Sequence, residues 1–365
     1  MRKILISGYY GFSNAGDEAM LTAIVTGLRA QDPQVELTVL SGHPELTQSL
    51  QQVKSIHRFD FFGIFRAMRH TDLLLSGGGS LLQNVTSQVS LFYYLFIIGL
   101  AALFRKKIML FAQGIGPIHG QFARWLTHYI CQKADLITVR DDGSLNDLKH
   151  MGFKENTVHV TSDAVFSLPE GKQKAGEKQL ISLGLDLERP IIGMALRHWK
   201  GEERYIKEFA KAADQLSAIY HAQILFIPLQ FPADQELSHR VQIQMKTRDA
   251  VRILPSKCST QGYQDLVRCC HLLIGMRLHA LVFAALNHVP FMAVSYDPKV
   301  DRFVKGMDGV IAGNIETITA NEMVQAARAL WHKDGRQPSH KIQALRQEAI
   351  INLQRALALL PRNKT

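Results

Sequence analysis

Short apolar runs alternate with amphipathic stretches along most of the chain. The runs are typical of buried parallel strands, and the stretches between them have the spacing of helices. In the first half the runs lie at residues 3–7, 35–40, 72–77, 108–112, 136–139 and 158–161, and in the second half at 191–196, 224–228, 251–254, 272–274 and 291–295. A repeated order of strand, turn and helix predicts an α/β fold with parallel sheets.

The alternation occurs twice, and residues 167–189 interrupt it with a composition rich in Pro, Gly, Lys, Glu and Gln. A chain of 365 residues is long enough for two domains. We therefore predict a Rossmann-like domain at 1–166, a linker at 167–189, a second Rossmann-like domain at 190–338 and a C-terminal helix at 339–365 that packs back across both.

Composition describes a folded globular protein, with 47% hydrophobic and 20% charged residues. The formal net charge of +10 favours acidic partners, such as phosphorylated small molecules, an anionic membrane surface or nucleic acid. Nucleic-acid readers usually interleave basic and aromatic residues along one surface, whereas the informative cations here follow strand ends. We therefore expect no nucleic-acid partner.

The four cysteines, Cys131, Cys258, Cys269 and Cys270, lack the spacing of metal ligands. Adjacent Cys269 and Cys270 are predicted to be buried thiols rather than a disulfide, and a reducing cytoplasm is the expected compartment. The first apolar run is too short for a signal peptide and reads as the first strand.

Residues 90–104 form the most apolar run in the chain, and three basic residues follow at 105–107. The run is shorter than the roughly 20 residues that a membrane span needs. A buried helix is the favoured interpretation. Docking of residues 90–107 onto an anionic membrane is the alternative, because aromatic residues with a basic rim suit that role.

The segment 271–288 predicts a strand, a break at Gly275 and a helix from about Leu278. Arg277 and His279 therefore lie at a strand-to-helix turn, on the sheet edge where α/β proteins bind ligands. The helix start adds unpaired N–H groups, so an anion is the expected ligand. Arg277 could instead cap a carboxylate, and His279 could be a core histidine.

Four cations follow predicted strands within a few residues: Arg140, Arg197, Arg277 and Lys299. If the two sheets face each other across a cleft, this edge holds a small ligand with more than one anionic group. Independent ion pairs are the less favoured explanation. We expect no metal, because Asp17, Asp163 and Asp297 are scattered and cations repel divalent ions.

Two glycine-rich turns also leave strands in the first half. The turn at 8–16 lacks the dinucleotide-binding spacing, and Asp17 after it is either a helix cap or a carboxylate at the sheet edge. Gly77, Gly78 and Gly79 follow the third strand, where a bare backbone permits close approach of a ligand.

Seven segments in this order resemble the polysaccharide pyruvyl transferase family, in particular its bacterial branch that pyruvylates secondary cell-wall polymers. They are residues 8–17, 76–82, 113–117, 139–141, 163–166, 275–279 and 295–299. The resemblance implies a GT-B-like fold and transfer of pyruvyl from phosphoenolpyruvate to two sugar hydroxyls, with release of phosphate and no cofactor.

The resemblance further implies an acceptor: O4 and O6 of an N-acetylmannosamine residue on a lipid-linked disaccharide. Such an enzyme would be cytoplasmic and peripheral at the inner membrane face. Whether it forms a homo-oligomer stays open.

Carried over by motif, Arg140, Arg197, Lys299 and Gly275 are implied to bind the donor. In our mechanistic hypothesis His279 protonates the methylene carbon, Asp17 is the base for the hydroxyl, and Arg277 completes the catalytic set. The implied acceptor-side residues are Gly77, Gly78, Gly79, Gln113 and Asp163.

Two other functions remain open from the sequence. A nucleotide-sugar glycosyltransferase on the same fold would need a carboxylate for the ribose, for which Glu236 and Asp265 are candidates. A non-catalytic protein that binds anionic glycans or nucleic acid is the second.

Overall fold

A computed structural model describes residues 2–85, 87–307, 309–331 and 339–361. The chain divides into two compact units. The first contains the residues up to Phe12, Asp17–Leu168 and the chain from Ala344 onward, and the second contains Ser13–Gly16 and Pro169–Gln343.

The first unit is built on a seven-stranded parallel sheet. Its strands are β1 (Lys3–Ser7), β2 (Glu36–Ser41), β3 (Lys54–His57), β4 (Leu73–Gly77), β5 (Lys107–Gln113), β6 (Leu136–Val139) and β7 (Val158–Val160). They are ordered β3-β2-β1-β4-β5-β6-β7, and every pairing is parallel. The first six strands follow the Rossmann order.

Helices connect these strands on the two faces of the sheet. They are α1 (Ala15–Gln31), α2 (Pro44–Gln51), α3 (Phe61–His70), α4 (Gln88–Leu103), α5 (Gln121–Cys131) and α6 (Asp142–His150). α4 packs between α3 and α5, and all three contribute to one apolar core with the sheet.

The favoured interpretation of residues 90–107 is confirmed for most of α4. Seven of its residues are buried, including Tyr94 and Ile98, and only a few side chains such as Phe96 and Leu103 are exposed. Among the helices of the described ranges, none combines the length and apolarity that crossing a bilayer requires.

The second unit repeats the design with six parallel strands. These are β8 (Ile191–Ala195), β9 (Gln223–Phe226), β10 (Val251–Ile253), β11 (Leu272–Gly275), β12 (Phe291–Ser295) and β13 (Val310–Asn314). Their order is β10-β9-β8-β11-β12-β13, again the Rossmann order. The α/β class with two Rossmann-like parallel sheets is therefore confirmed.

The helices of this unit are α7 (Gln173–Ser182), α8 (Glu202–Tyr220), α9 (Ala233–Gln244), α10 (Thr260–Arg268), α11 (Leu278–Leu286), α12 (Pro298–Gly306) and α13 (Ala320–Trp331). α11 is buried along most of its length, which explains why its sequence is apolar on all sides. The last helix, α14 (Ser339–Ala358), enters the first unit from Ala344 onward. Residues 332–338 and 362–365 of the predicted domain ranges lie outside the described residues.

The division between the units falls after Leu168, inside the segment 167–189 that was predicted to be the linker. The rest of that segment contains α7 and belongs to the second unit. α7 buries Gly176 and Leu180, and a Cβ on Gly176 would overlap the backbone of α10 at Asp265. This close helix contact, rather than an apolar stripe, fixes α7.

Two strands were missed because their residues are polar or half-exposed. β3 has the sequence Lys-Ser-Ile-His and no fully buried residue, and β13 lies at the other sheet's edge with no buried residue either. The cysteine prediction is confirmed, because all four are free thiols and Cys131, Cys269 and Cys270 are buried.

Candidate functional site

The carboxyl edge of the second unit's sheet brings three strands into register. Ala195 on β8 pairs with Gly275 on β11, and Gly275 pairs with Ala293 on β12. Arg197 and Arg277 each lie two residues beyond these paired positions. They therefore leave neighbouring strands, which are about 4.8 Å apart, at the same level.

His279 is the second residue of α11, directly beyond this edge. A helix start presents backbone N–H groups that no carbonyl of the same helix accepts, together with the positive end of the helix dipole. The imidazole packs against Gly16. A Cβ on Gly16 would lie 2.5 Å from His279 Cγ and 2.9 Å from His279 Cβ, so only glycine leaves room for this ring.

The segment that carries Gly16 is held by backbone hydrogen bonds within the second unit. The N–H of Ala15 donates to the carbonyl of Leu229 at 2.8 Å, and Asn14 forms a β-bridge with Gln230. The Asn14 side chain accepts from the N–H of Gly16 at 3.0 Å and so caps α1. The cap role considered for Asp17 is therefore filled by Asn14.

Arg277 does not point a free guanidinium at the edge. Its Nε donates to Oδ2 of Asp234 at 2.8 Å, and its Nη2 donates to the other carboxylate oxygen. The completely buried Asp234 side chain also accepts from the N–H groups of Leu229 and Gln230, at 3.2 and 2.9 Å. Arg277 thus fulfils the carboxylate-capping alternative, and its ion pair fixes the loop that holds Ala15 and, through it, the wall behind His279.

Arg197 is the cation at this edge with a neutral partner. Its Nη1 donates to the Tyr296 hydroxyl at 2.8 Å, and its guanidinium carbon lies 4.8 Å from the centre of that ring. No carboxylate in the described part of the chain forms a salt bridge with it. Lys299, by contrast, has its Nζ 3.2 Å from Oδ2 of Asp297, the residue that caps α12. Arg197 therefore keeps the most uncompensated positive charge of the set.

His198 follows Arg197 in the chain and has a hydrogen-bond partner at each ring nitrogen. Its Nδ1 lies 2.5 Å from Oε1 of Glu202 and its Nε2 lies 2.8 Å from the carbonyl of Ala233. Both partners are hydrogen-bond acceptors, so this geometry favours the ring with a proton on each nitrogen. Burial alone would lower the pKa of His198, but these hydrogen bonds outweigh it and raise the pKa above its ordinary value.

The carboxyl edge of the first unit holds Arg140 between acidic partners. Its side chain is only 6% exposed, and it donates to Ser80 Oγ at 3.0 Å and to Asp163 Oδ2 at 3.3 Å. Oδ2 of Asp141 lies 3.8 Å from its Nε. Asp163 in addition caps the following 3₁₀ turn by accepting from the N–H of Val165 at 3.0 Å. These ion pairs compensate much of the charge that was predicted to bind the donor.

Gln113 is the last residue of β5, at the carboxyl edge of the first sheet, and is completely buried. Its Nε2 donates to the carbonyl and hydroxyl oxygens of Ser76, at 2.8 and 3.0 Å, and so ties β5 to β4. The side chain therefore joins two strands at this edge, and its role on the acceptor side stays a prediction.

The three glycines after β4 leave space that is filled by the side chains of Tyr10 and Asp17. The buried Tyr10 hydroxyl donates to the carbonyl of Gly77 and lies against Gly78, and Asp17 lies against Gly79. A Cβ on Gly79 would lie 2.9 Å from Asp17 Oδ1, and both Gly78 and Gly79 have positive φ. Glycine is required here because the side chains of Tyr10 and Asp17 approach the backbone too closely for a Cβ atom.

Asp17 shapes the electrostatics of the surrounding tyrosines. Burial raises the pKa of Tyr10 well above its usual value, and the Asp17 charge acts in the same direction. Burial and Asp17 also raise the pKa of Tyr9, whereas Arg58 lowers it. Asp17 and Arg58 thus act on the same aromatic group at this edge.

The family is decided by a comparison of the sequence with models of protein families. The model for polysaccharide pyruvyl transferases matches residues 14–298. The chain belongs to this family. It is a pyruvyltransferase of polysaccharide synthesis. A search of curated proteins gives no match.

Solved structures share the fold of this pyruvyl transferase at low identity. UDP-GlcNAc 2-epimerase from Methanocaldococcus jannaschii is 11% identical with a TM-score of 0.71, covering 98% of this chain and 99% of that one. Anabaena Alr3699/HepE in complex with UDP-glucose is 14% identical with a TM-score of 0.63, covering 98% and 97%. S. aureus MnaA with UDP is 12% identical with a TM-score of 0.66, covering 98% and 95%. These matches support the GT-B-like class.

Arg58 is the residue of the first edge that sequence reasoning missed. It follows β3, is 7% exposed, and its guanidinium carbon lies 4.2 Å from the centre of the Tyr93 ring and 5.1 Å from that of Phe59. Burial raises the pKa of Tyr93 to about 12 although Arg58 opposes the shift. In the described ranges no carboxylate forms a salt bridge with Arg58, so aromatic faces stabilise its charge. The signal was a cation after a strand, but the strand itself was not predicted.

Each unit of the pyruvyl transferase brings its own groups to a carboxyl sheet edge. The first edge has Arg140, Asp163 and Asp17, and the second has Arg197, His279 and Lys299. Their convergence on one ligand stays a prediction. In the part of the chain that is described, no group of three or more His, Cys, Asp and Glu side chains is placed to hold a metal ion.

Proposed function

We propose that this pyruvyl transferase moves the pyruvyl group of phosphoenolpyruvate to O4 and O6 of an N-acetylmannosamine residue on a lipid-linked cell-wall polymer precursor. The product is a 4,6-ketal, and inorganic phosphate is released. Family membership supports pyruvyl transfer to a polysaccharide acceptor. The donor and the acceptor sugar are the proposal.

The observation that carries the donor is the grouping at the second sheet edge. Arg197 has a neutral partner and follows β8, and Lys299 lies in the first turn of α12, which follows β12. His279 lies at the start of α11, which follows β11, the strand between β8 and β12. Phosphoenolpyruvate has a carboxylate and a phosphate on a three-carbon frame. Arginine, lysine and helix-start N–H groups are the groups that bind such anions.

In the first step His279 donates a proton to the methylene carbon of the donor. A sugar hydroxyl oxygen forms a bond to the neighbouring carbon, and Asp17 accepts the proton of that hydroxyl. In the second step the other hydroxyl oxygen attacks the same carbon, and its proton passes to the imidazole of His279, which gave up its own proton in the first step. The bond between that carbon and the bridging phosphate oxygen breaks, and phosphate leaves with the electron pair and takes the proton that Asp17 held. The ketal ring is then closed, and both residues are back in their starting protonation states.

Cations stabilise the charge that moves onto the phosphate in the second step. We assign this role to Arg197 and Lys299, with Arg140 contributing from the first unit. Arg277 has a different role, because its guanidinium is held by Asp234. It is a positioning residue that acts on His279 through the loop at Leu229. The reaction as proposed needs no cofactor or metal.

A nucleotide-sugar glycosyltransferase is the second candidate, favoured by solved structures of the same fold in complex with UDP or UDP-sugars. Against it, Asp265 is 5% exposed, and its Oδ1 accepts from the backbone of Lys172 at 2.6 Å and from Gln261 Nε2 at 2.7 Å. That carboxylate is therefore occupied between α7 and α10 and unsuited to a ribose.

A thermal-shift comparison tests the donor. Ligands that bind the folded state raise Tm, by an amount set by concentration over Kd. We expect phosphoenolpyruvate to raise Tm, and UDP- and GDP-sugars at the same concentration to leave it unchanged. Arg197→Gln should abolish the shift, whereas Arg189→Gln, at a half-buried position where Nε donates to the His221 carbonyl, should preserve it. A shift with the nucleotide sugars alone would favour the glycosyltransferase.

The acceptor on a lipid carrier would place the enzyme at the inner face of the cytoplasmic membrane, as a peripheral protein and without a nucleic-acid partner. The acceptor is tested with a panel of lipid-linked and aryl-linked N-acetylhexosamine disaccharides. We expect phosphate release that depends on the N-acetylmannosamine acceptor, and none when its O4 or O6 is blocked by a methyl group.

A further inference from the structure

Three neighbouring helices of the first unit expose large apolar side chains to solvent. We call this set the aromatic face. Its members are Phe61, Phe62 and Phe65 on α3, Val89, Phe96 and Leu103 on α4, and Phe122, Trp125 and Tyr129 on α5. Phe62 is 81% exposed and Trp125 is 56% exposed. Monomeric proteins rarely expose a contiguous apolar patch without using it.

The side chains of the aromatic face form a continuous surface. On α5 the three residues are spaced by three and four positions, and on α4 by seven, so each set lies on one side of its helix. Ring contacts join the helices. The centres of Phe61 on α3 and Phe96 on α4 are 5.9 Å apart, and those of Phe92 on α4 and Phe122 on α5 are 6.4 Å apart.

The enrichment is specific to this face. Of the exposed aromatic side chains in the described ranges, all lie on the aromatic face or beside it at Phe59, except Tyr9. In the described part of the second unit, the exposed side chains of this size are aliphatic: Ile181, Leu187, Ile219 and Ile243. Aromatic residues are the ones that settle at the boundary between hydrocarbon and headgroups.

The charge pattern selects an anionic partner. The sequences of α3, α4 and α5 contain no aspartate or glutamate. Exposed basic residues lie within these helices or just beyond their ends, at Arg66, Arg69, Arg105, Arg124 and Lys133. None of the five forms a salt bridge within the described part of the chain, and Lys133 lies 5.3 Å from the centre of the Tyr129 ring.

We propose that the aromatic face docks onto an anionic phospholipid bilayer, with its rings at headgroup depth and its basic residues on lipid phosphates. This differs from docking by residues 90–107 alone, because α4 is mostly buried and α3 and α5 supply most of the exposed rings. The inference deepens the proposed membrane-borne acceptor. Its test uses no turnover, so the two fail separately.

Vesicle binding by the full chain tests the docking. We expect co-sedimentation with phosphatidylcholine vesicles that contain phosphatidylglycerol at low salt, weaker binding at high salt, and little binding to phosphatidylcholine alone. Lipids with brominated acyl chains should quench part of the tryptophan fluorescence. The variant Trp125→Phe should lose that quenching and keep the binding.

A matched pair of variants distinguishes binding by the aromatic face from non-specific hydrophobic binding. Replacement of Phe62, Val89 and Trp125 by serine should weaken vesicle binding at least about tenfold, since apolar contact area is lost. Replacement of Ile181, Ile219 and Ile243 by serine should change it less than about twofold.

Three results would overturn the proposal. They are no binding to anionic vesicles at low salt, equal loss in both triple variants, and self-association that the first triple variant abolishes while vesicle binding persists. The last result would assign the face to a second copy of the chain. None of these results would bear on pyruvyl transfer to an aryl-linked acceptor in solution, which tests the proposed function separately.

Discussion

Gly16→Ala should disable the enzyme from a position that carries no functional side chain. The added Cβ would lie 2.5 Å from His279 Cγ, and ordinary van der Waals contact begins at 3.4 Å, so the imidazole must retreat by about 1 Å. Rotation of the ring is insufficient relief, because His279 Cβ would also be only 2.9 Å away. The start of α11 or of α1 must therefore move as well.

The size of the effect follows from that displacement. A misplacement of about 1 Å at a reacting group costs on the order of 100-fold in rate. This corresponds to about 2.7 kcal/mol of activation free energy. Overpacking should also reduce the free energy of unfolding by about 1–3 kcal/mol. The expected signature is a kcat lowered about 100-fold in a protein that is still folded.

The assay is acceptor-dependent phosphate release, with urea unfolding measured in parallel. The double variant Gly16→Ala, His279→Ala removes the overlap, so its stability should recover while its activity stays low. Gly99→Ala in α4 is the control, because its Cβ would meet only Ile130 Cδ1 at 3.6 Å. It should keep full activity and gain about 0.5–1 kcal/mol of stability. Normal turnover by Gly16→Ala would refute the assignment of His279 to the chemistry.

Three further predictions concern the same unit. Tyr296→Phe keeps the ring against Arg197 but removes one hydrogen bond, which contributes about 0.5–1.5 kcal/mol. The KM for the donor should therefore rise about 2- to 10-fold while kcat stays constant. A fall in kcat alone would contradict the role of Tyr296 in holding Arg197 for donor binding. Asp234→Ala should lower the free energy of unfolding, measured with urea, by about 3–5 kcal/mol, because it leaves the Arg277 guanidinium without its partner. Arg277→Met should lower it by much less, because the Asp234 carboxylate still accepts from two backbone N–H groups. Equal losses in the two variants would contradict this account of the ion pair. The pKa of His198 is raised in the folded state, so its stabilisation is complete below the ordinary value of about 6.5 and is lost as pH rises through the raised pKa. The wild type should therefore exceed His198→Gln in urea midpoint more at pH about 6 than at about 8.5, and a difference independent of pH would exclude this linkage.

The positions of the buried strands along the chain could be predicted, because parallel strands that are covered on both faces are continuous apolar runs. Residues 3–7, 136–139 and 291–295 were located at their observed bounds. Edge strands lack this pattern. β3 was missed for that reason, and with it Arg58, which obeys the same rule of a cation after a strand that identified Arg197.

Side-chain partners across the fold could not be predicted from one sequence. Arg277 and Asp234 are 43 positions apart, and Arg140 and Asp163 are 23 apart, so nothing local shows that each arginine meets a carboxylate. The wall that Gly16 forms behind His279 joins positions 263 residues apart along the chain. The same limit hid the role of the triple glycine, whose bare backbone admits Tyr10 and Asp17.

The most direct test of the proposed chemistry is the mass of the product. The enzyme is incubated with phosphoenolpyruvate and a lipid-linked disaccharide that ends in N-acetylmannosamine, and acceptor mass and free phosphate are followed together. We predict that each acceptor gains one pyruvyl ketal for each phosphate released, and that His279→Gln slows both equally by about 100- to 10,000-fold. Phosphate released without gain of acceptor mass, or an acceptor modified only when a nucleotide sugar is supplied, would contradict the proposal.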